Sequence, residues 1–520
     1  MSAKSRVFTL LLVSFLSFPL LLTKWNVGSA NSIAEAKEFK DGFYQALWVQ
    51  AFEPGLKTPE EIDQLVEDAE TANVNAIMAQ VSRRHDAYYY SNVLPFTEDP
   101  AVPEGFDPLG YLLSAAHEKN IEVHAWVNVG TMWHPIYGGP PEDPNHVWNT
   151  HGPDVSDEET WVTKGYDGSV GNHMQPYLDL GHPDAVNHVV NMVTDIVKNY
   201  DVDGVHLDYI RYPENPGGRP TGWYGYNPTS LERFQQETGR TDVPEPGDAE
   251  WLEWKVEQVN NAVKRIYLET MAIDSEVHLT AAVVSWGFDD PRTTDWWIMD
   301  PVQRAHQNWK KWVQEGYLDF VFVMNYDSDA DPTRRDRYNA WIEWQKDLPR
   351  NRGIVIGPAL YMNTVPDSIS QIHRALAPSP AGNTAEGVSA YVYNVWSNDG
   401  RPRHDLISSL SQPTDLNNGN PPFRKLVDTP NAPWKQKPNG HILGQVVDHD
   451  GQPVSRNSIV LRRGANGAVA AAVETDGNGF FGVTDLKPGA YFVESAKNSE
   501  KKERLIVKPG QVSHIQLKRQ

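Results

Sequence analysis

Cysteine is absent from the sequence. That excludes disulfides, thiol catalysis, thiolate metal centres and a lipid-modified N-terminal cysteine. Positive charge is scarce as well. The 46 Lys and Arg stand against 68 Asp and Glu, a net charge of −22. Such a chain repels phosphate backbones and anionic headgroups, which argues against nucleic acid and anionic membrane surfaces as partners. Long apolar runs are missing beyond the first 30 residues, so no later segment could span a bilayer. The one such run, residues 7–22, is short for a span and carries Ser14, Ser17 and Pro19. Lys4 and Arg6 precede it and Gly28-Ser29-Ala30 follows it. This order reads as an export signal over residues 1–30, cleaved after Ala30. The mature protein is then expected in the periplasm or outside the cell, with no stable membrane insertion after cleavage.

What is present is a large apolar supply and many aromatic rings. Hydrophobic residues make up 40% of the 520, enough for two to four domains. Trp and Tyr number 18 and 21. Their rings stack on the apolar faces of sugars and also fill barrel cores, so they point both ways. Strand-like stretches at 42–52, 74–82, 121–129, 205–210, 278–286, 318–327, 353–362 and 388–397 are mostly separated by helical ones. Eight strands in this rhythm predict an α/β fold, a (β/α)8 TIM barrel over residues 40–411. The longest interruptions, 83–106, 130–181 and 214–227, follow strands two, three and four, on the face where barrel active sites form. Residues 412–440, rich in Pro, Asn and Lys, read as a linker. Residues 441–520 show short alternating runs broken by DHDGQP, DGNG and KPG, which predicts a small antiparallel all-β sandwich, separable from the barrel.

The stretch VDGVHLDYIRYP, residues 202–213, organises the barrel reading. Alternation over 205–210 puts His206 and Asp208 on one face, with Val205, Leu207 and Tyr209 on the other. An acid at the carboxyl end of a parallel strand sits where ligands bind. The plainer reading is a strand-end or cap carboxylate paired with Arg211.

With these residues laid out, the chain resembles the glycosyl hydrolase-like family 10 proteins of bacterial envelopes, over about residues 42–400. The likeness rests on DAYYYS with GFDPLGYLLSAAHEKNIEVHAWVN, on LDLGHPDAVNHVVNMVTDIVKNYDVDGVHLDYIRYP, and on NWKKWVQEGYLDFVFVMNYD. It implies a barrel with glycosidase activity in some members. Many members carry two consecutive acids on the fourth strand, whereas here the second is Tyr209. The tail is similar to carboxypeptidase regulatory-like sandwiches, through GQVVDHDGQPV and TDGNGFFGVTDLKPGAYFV.

Glycoside hydrolysis generally needs two carboxyl groups flanking the bond. Asp208 is the first choice and Asp327, closing MNYD on the sixth strand, the second. Asp86, Asp289 and Asp290 are further strand-end acids. His206 either orients Asp208 or fills the barrel. Tyr209, Arg211, Asn325 and Tyr326 adjoin the two acids and are expected to contact substrate, with Asp86 and Asp289. Trp126 and Asn128 share a face of the third strand with His124 and are expected to contact substrate, Asn128, nearest the mouth, through a sugar hydroxyl; His124 reads as a buried barrel residue. Trp133, Trp286 and Trp396 lie at or beyond strand ends and could stack on sugar rings. A chitinase-type site is the nearest rival, but His206 and Ile210 stand where that pattern needs acids. Asp327, Asp329 and Asp331 alternate like a Ca²⁺ loop, yet Pro332 replaces the glycine and no Glu closes it. The histidines lack zinc spacing. No catalytic metal and no cofactor are expected. The expected partner is a polysaccharide, such as peptidoglycan, and the alternative to an enzyme is a glycan-binding protein on a degenerate barrel.

Overall fold

The computed structural model describes residues 42–133, 139–170, 176–214, 219–436, 439–464, 467–495 and 498–519. The expected export signal lies outside them. The chain runs β1 (Tyr44–Val49), α1 (Pro59–Thr71), β2 (Ala76–Ser82), α2 (Pro108–His117), β3 (Glu122–Asn128), α3 (Val147–His151), α4 (Pro183–Asn199), β4 (Gly204–Asp208), α5 (Pro228–Thr238), α6 (Ala249–Ile273) and β5 (His278–Val284). It continues α7 (Asp300–Gln303), α8 (Trp309–Glu315), β6 (Phe320–Asn325), α9 (Pro332–Asp347), β7 (Gly353–Pro358), α10 (Val365–Leu376), β8 (Gly387–Ala390) and α11 (Arg403–Ser411). The eight strands are parallel and close into a barrel, β8 pairing with β1. This is the expected (β/α)8 architecture.

Helix starts follow from local chemistry. Thr58, Asp107, Asn227 and Asp331 each accept a backbone N–H through the side chain, and a proline follows each one. The cap satisfies an orphan donor while proline occupies a position that needs none. The strands are buried on both faces, as parallel strands wrapped by helices must be. Outward residues such as Leu47, Ile77, Val123, Val205 and Val321 pack under the helices. Inward residues Tyr44, Trp48, Met78, Trp126, Phe320 and Phe322 fill the lumen. His206 belongs to this filling. It is fully buried, Trp48 Nε1 donates to its Nε2 at 2.9 Å, and its Nδ1 lies 2.8 Å from Thr280 Oγ1.

The described part of the stretch read above as a linker, residues 412–436, packs across the amino-terminal end of the barrel. Trp434 and Ala432 join the lumen cluster from below. Trp434 Nε1 donates to Asp319 Oδ1 at 2.6 Å, and Lys435 Nζ lies 3.3 Å from Asp319 Oδ2. Phe423 is fully buried in the outer core.

The tail forms β9 (Gly440–Val447), β10 (Ser458–Arg463), β11 (Val469–Glu474), β12 (Phe480–Leu486), β13 (Gly489–Ser495), β14 (Asn498–Val507) and β15 (Val512–Lys518). They make two sheets, ordered β11-β10-β13-β14 and β12-β9-β15. The expectation of a purely antiparallel sandwich is corrected at one pair, since β15 runs parallel to β9. The sandwich has its own core, with Ile442, Val446, Ile459, Leu461 and Phe481. It also meets the barrel. Arg352 Nη2 donates to Asp485 Oδ2 at 2.9 Å, and the Arg265 guanidinium lies 4.0 Å over the Phe480 ring.

The loop after β2 is tied to α4 and to the end of β3 by neutral imidazoles, against which the excursion after β3 lays Trp161. His85 Nε2 donates to the Val129 carbonyl at 3.1 Å, so its Nδ1 accepts from His188 Nε2, also at 3.1 Å. The Trp161 ring lies 5.7 Å from His188 and stacks on His151 at 3.6 Å. Burial, and then the nearby His146 and His151, lower the His188 pKa to about 4. A folded pKa below the unfolded value gives stability that is complete above about pH 6.5 and is lost as pH falls towards 4. Going from pH 7.5 to 5 should cost about 2 kcal/mol at this one ring. Denaturant unfolding of wild type and His188→Gln at both pH values should show their stability difference changing by about that amount. An unchanged difference would remove the assignment.

Candidate active site

The carboxyl ends of the strands converge on Asp208, the last residue of β4. It is 6% exposed. Its Oδ1 accepts from the Tyr209 amide at 2.6 Å and from Arg211 Nη1 at 3.3 Å. Burial raises its pKa, while Arg211, the Tyr209 amide and the Trp126 indole pull it back down. The net shift is upward, so the carboxyl holds its proton to higher pH than an ordinary aspartate. The chain turns sharply here. Tyr209 has φ of 52°, a left-handed conformation that costs a non-glycine residue and is concentrated at functional sites.

Aromatic hydroxyls surround this carboxyl. The Asp208 charge reaches Tyr177, Tyr209, Tyr326 and Tyr391, and all four phenols are pushed up, first by burial, so all four keep their protons at neutral pH. Tyr326 and Tyr391 stack at 5.0 Å, and Tyr177 meets Tyr209 edge-on at 6.0 Å. The Trp126 ring stands 6.4 Å from Tyr391. The Arg211 guanidinium covers the Tyr209 ring at 4.4 Å and the Trp286 ring at 5.6 Å. The structure therefore brings together Asp208, Tyr209, Arg211, Trp126, Tyr326 and Trp286 of the expected set.

Other expected residues are placed elsewhere. Both oxygens of Asp327 are held by Arg337 of α9, Nε at 3.0 Å from each and Nη2 at 2.6 Å from Oδ1. Asp327 is 1% exposed, and its backbone carbonyl accepts from Asn363 and Gln371. It anchors the loop after β6. Burial raises its pKa and Arg337 opposes the rise. Asp86 is buried, accepting from Thr97 Oγ1 at 2.7 Å and from the Arg84 amide at 3.1 Å. Asn128 spans Trp126 Nε1 at 3.0 Å and the Arg83 carbonyl at 2.9 Å, both within the protein. His206 lies a layer deeper, and Asn325 Nδ2 is directed at Ser285 Oγ, 3.4 Å away. Asp86, Asn128 and His206 are buried with their polar atoms turned to protein partners, whereas Asn325 is buried with its Oδ1 left without one. Trp396 is half-buried, its Nε1 donating to the Arg401 carbonyl, on the β8 side. Trp133 is buried beneath the Arg84 guanidinium at 4.2 Å. Asp290 is paired with Arg292. Asp329 is paired with Arg374, and Asp331 caps α9, which accounts for the alternating acids without a Ca²⁺ loop.

Asp289 is exposed, and its charge, after burial, helps raise the pKa of Asp300 at the start of α7. Asp300 is a carboxyl that sequence reasoning did not select. Arg304 Nη1 donates to its Oδ2 at 2.9 Å and also pairs with Glu214. The Arg304 guanidinium lies 5.7 Å from the Trp286 ring, which also receives Arg211. A continuous stack thus links Asp208 to Asp300 and Glu214 across the β4 and β5 loops. Tyr391 and Tyr177 were also missed. Tyr391 directly follows β8, and the strand-end rule that selected Asp208 would have found it. Tyr177 lies in the long excursion, where no periodicity marks it.

Glycosyl hydrolase YngK of Bacillus subtilis is 25% identical over 320 residues, covering 58% of this chain and 56% of that protein. Glycosyl hydrolase DigH of Escherichia coli is 24% identical over 324 residues, covering 59% of this chain and 67% of that one. The chain thus spans little more than half the length of the first of these relatives. Among solved structures, the PgaB (BpsB) glycoside hydrolase domain of Bordetella bronchiseptica aligns over 70% of this chain and 98% of its own, with a TM-score of 0.49 and 15% identity. The family model for glycosyl hydrolase-like 10 matches residues 45–374, from β1 into α10. With more than half its length inside that match, the chain belongs to the glycosyl hydrolase-like 10 family.

Proposed function

We propose that this protein is an exported glycoside hydrolase acting on a polysaccharide, with a bacterial envelope glycan such as peptidoglycan as the first substrate to test. The observation that carries the reading is the Asp208 carboxyl, raised by burial, at the mouth of a barrel of this family, among four protonated phenols and an arginine. A carboxyl that keeps its proton can donate it to a glycosidic oxygen. Phenolic donors and indole faces suit sugar hydroxyls and the apolar faces of sugar rings. A second carboxyl is needed as base or nucleophile. Asp327 remains the proposal from the strand-end pattern, and Asp300 and Glu214 are the acids linked to Asp208 by stacked rings and guanidinia. Incubating the purified protein with a panel of bacterial glycans, with mass spectrometry of released fragments, tests the reading.

A second reading has its own support. Both Asp327 oxygens are committed to Arg337, which suits a barrel that binds glycans without cutting them. Tight binding of a glycan that is never fragmented would select it.

The tail is proposed as a carboxypeptidase regulatory-like module. Export rests on the Lys4/Arg6, apolar run and Gly28-Ser29-Ala30 order. N-terminal sequencing of the exported protein should begin at or near Asn31. A mature chain still starting at Met1 and held in the membrane would overturn it. No helix of the described residues is long and apolar enough to cross a membrane.

A further inference from the structure

The opposite end of the barrel holds a polar cluster that hydrolysis does not use. Glu122 and His124 lie two residues apart on β3, and His278 opens β5. The sheet register aligns His124 with Gly204 and Gly204 with His278. Gly204 leaves the space between the two imidazoles free of a side chain. A Cβ there would stand 2.3 Å from His124 Nδ1. One donor atom from each of Glu122, His124 and His278 lies within 4.8 Å of the others. His124 is fully buried. Its Nε2 is 3.2 Å from Glu122 Oε2, and its Nδ1 has no hydrogen-bond partner.

The charges at this end are unevenly matched. Asp319 is paired with Lys435, Asp485 with Arg352, and Asp203 with His117 at 2.9 Å. Glu122 has the His124 ring and the Thr429 hydroxyl, which donates to its Oε1 at 2.5 Å. Asp319 and Asp485 thus have a lysine or arginine partner, whereas Glu122, like Asp203, has only a histidine. Glu122 is only half-buried, but its carboxylate is still costly to hold ionised without a full cation, and a bound cation lowers that cost. Two imidazoles and one carboxylate form a borderline donor set of the kind that holds Zn²⁺. Chain spacing could not reveal it, because the ligands come from two strands separated by β4.

We propose that Glu122, His124 and His278 bind a divalent transition-metal ion, with Zn²⁺ the best match to the donors. The ion would tie the β3–β5 side of the barrel base to the segment carrying Thr429. It is structural and lies at the end of the barrel away from Asp208.

The test uses the full mature chain with any affinity tag removed. After incubation with Zn²⁺ and dialysis, elemental analysis should find one equivalent of zinc. His278→Asn should weaken zinc binding by about a hundredfold or more, beyond the usual cost of losing only a ligand's supporting partner. Asp448→Ala should leave it unchanged; this variant breaks the exposed group Asp448, His449 and Asp450, the other place where donors gather among the described residues. Co²⁺ bound to wild type should give the visible bands of a low-coordinate nitrogen and oxygen site, which needs no variant to fold. Absence of zinc in wild type, or zinc kept by His278→Asn and lost by Asp448→Ala, would overturn the proposal.

Discussion

Asp208→Asn is expected to lower glycan hydrolysis by about 10²-fold or more, the usual scale for losing acid–base help, while glycan binding survives. Asparagine keeps the shape, and it can still accept from the Tyr209 amide and Arg211. What disappears is the transferable proton or the negative charge. If Asp208 is the general acid, activity falls as pH rises through its raised pKa, because the deprotonated carboxylate has nothing to give. Removing Arg211 should then extend activity to higher pH, since its charge is the largest force opposing the rise. If Asp208 is instead the nucleophile or base, activity falls as pH drops through the same value, and Arg211 variants shift that limb upward. The measurement is turnover against pH for wild type, Asp208→Asn and Arg211→Gln on a glycan that the wild type cleaves. Full activity in Asp208→Asn would return this residue to a strand-end cap.

Asp327→Asn separates the two readings of the second acid. As the catalytic partner it should match Asp208→Asn in lost turnover. As the anchor of the β6 loop it should lower stability and weaken binding, and Arg337→Gln should do the same, because either change leaves the other group buried without its charge partner.

The barrel was legible in the sequence because a parallel strand under helices writes a short apolar run, and proline with a capping residue marks the next helix. Asp208 was legible for a related reason: alternation placed it inward and Pro213 ended the strand. The partners were not. Arg337 lies ten residues beyond Asp327 on a helix that sequence alone does not aim. His206 looked like a site residue because it shares a face with Asp208, and only the third dimension shows Trp48 and Thr280 occupying its nitrogens. Residues 412–440 looked like a linker because Phe423, Ala432 and Trp434 are isolated apolar residues in a Pro- and Asn-rich stretch. Burial of single rings leaves no periodicity to read.

Those isolated rings predict the largest stability effect in the molecule. A chain ending at Ser411 is expected not to hold a folded barrel, whereas one ending at Gln436 should fold with reduced stability. The shorter chain loses Trp434 from the lumen and Phe423 from the outer core, each worth about 3–5 kcal/mol by analogy with large-to-small changes. It also strips the fully buried Asp319 of the Trp434 indole and of Lys435, the cation that does most to hold its carboxyl ionised, and losing one partner of a buried ion pair costs about 3–5 kcal/mol. Together these rival the whole stability of an ordinary domain, about 5–15 kcal/mol. The chain ending at Gln436 keeps all three contacts. It loses the sandwich, which keeps a core of its own but also packs on the barrel's outer core through Leu443, Phe480 and Val512 and bonds to it through Arg352–Asp485, Asn478 to the Pro183 carbonyl and Thr484 to the Glu315 carbonyl. Near-ultraviolet circular dichroism and cooperative thermal unfolding of the two chains decide the matter, with Trp434→Ala in the full chain as the single-residue counterpart. A cooperative, native-like Ser411-terminated barrel would show that the base closes without this segment, and residues 412–440 would then be a linker after all.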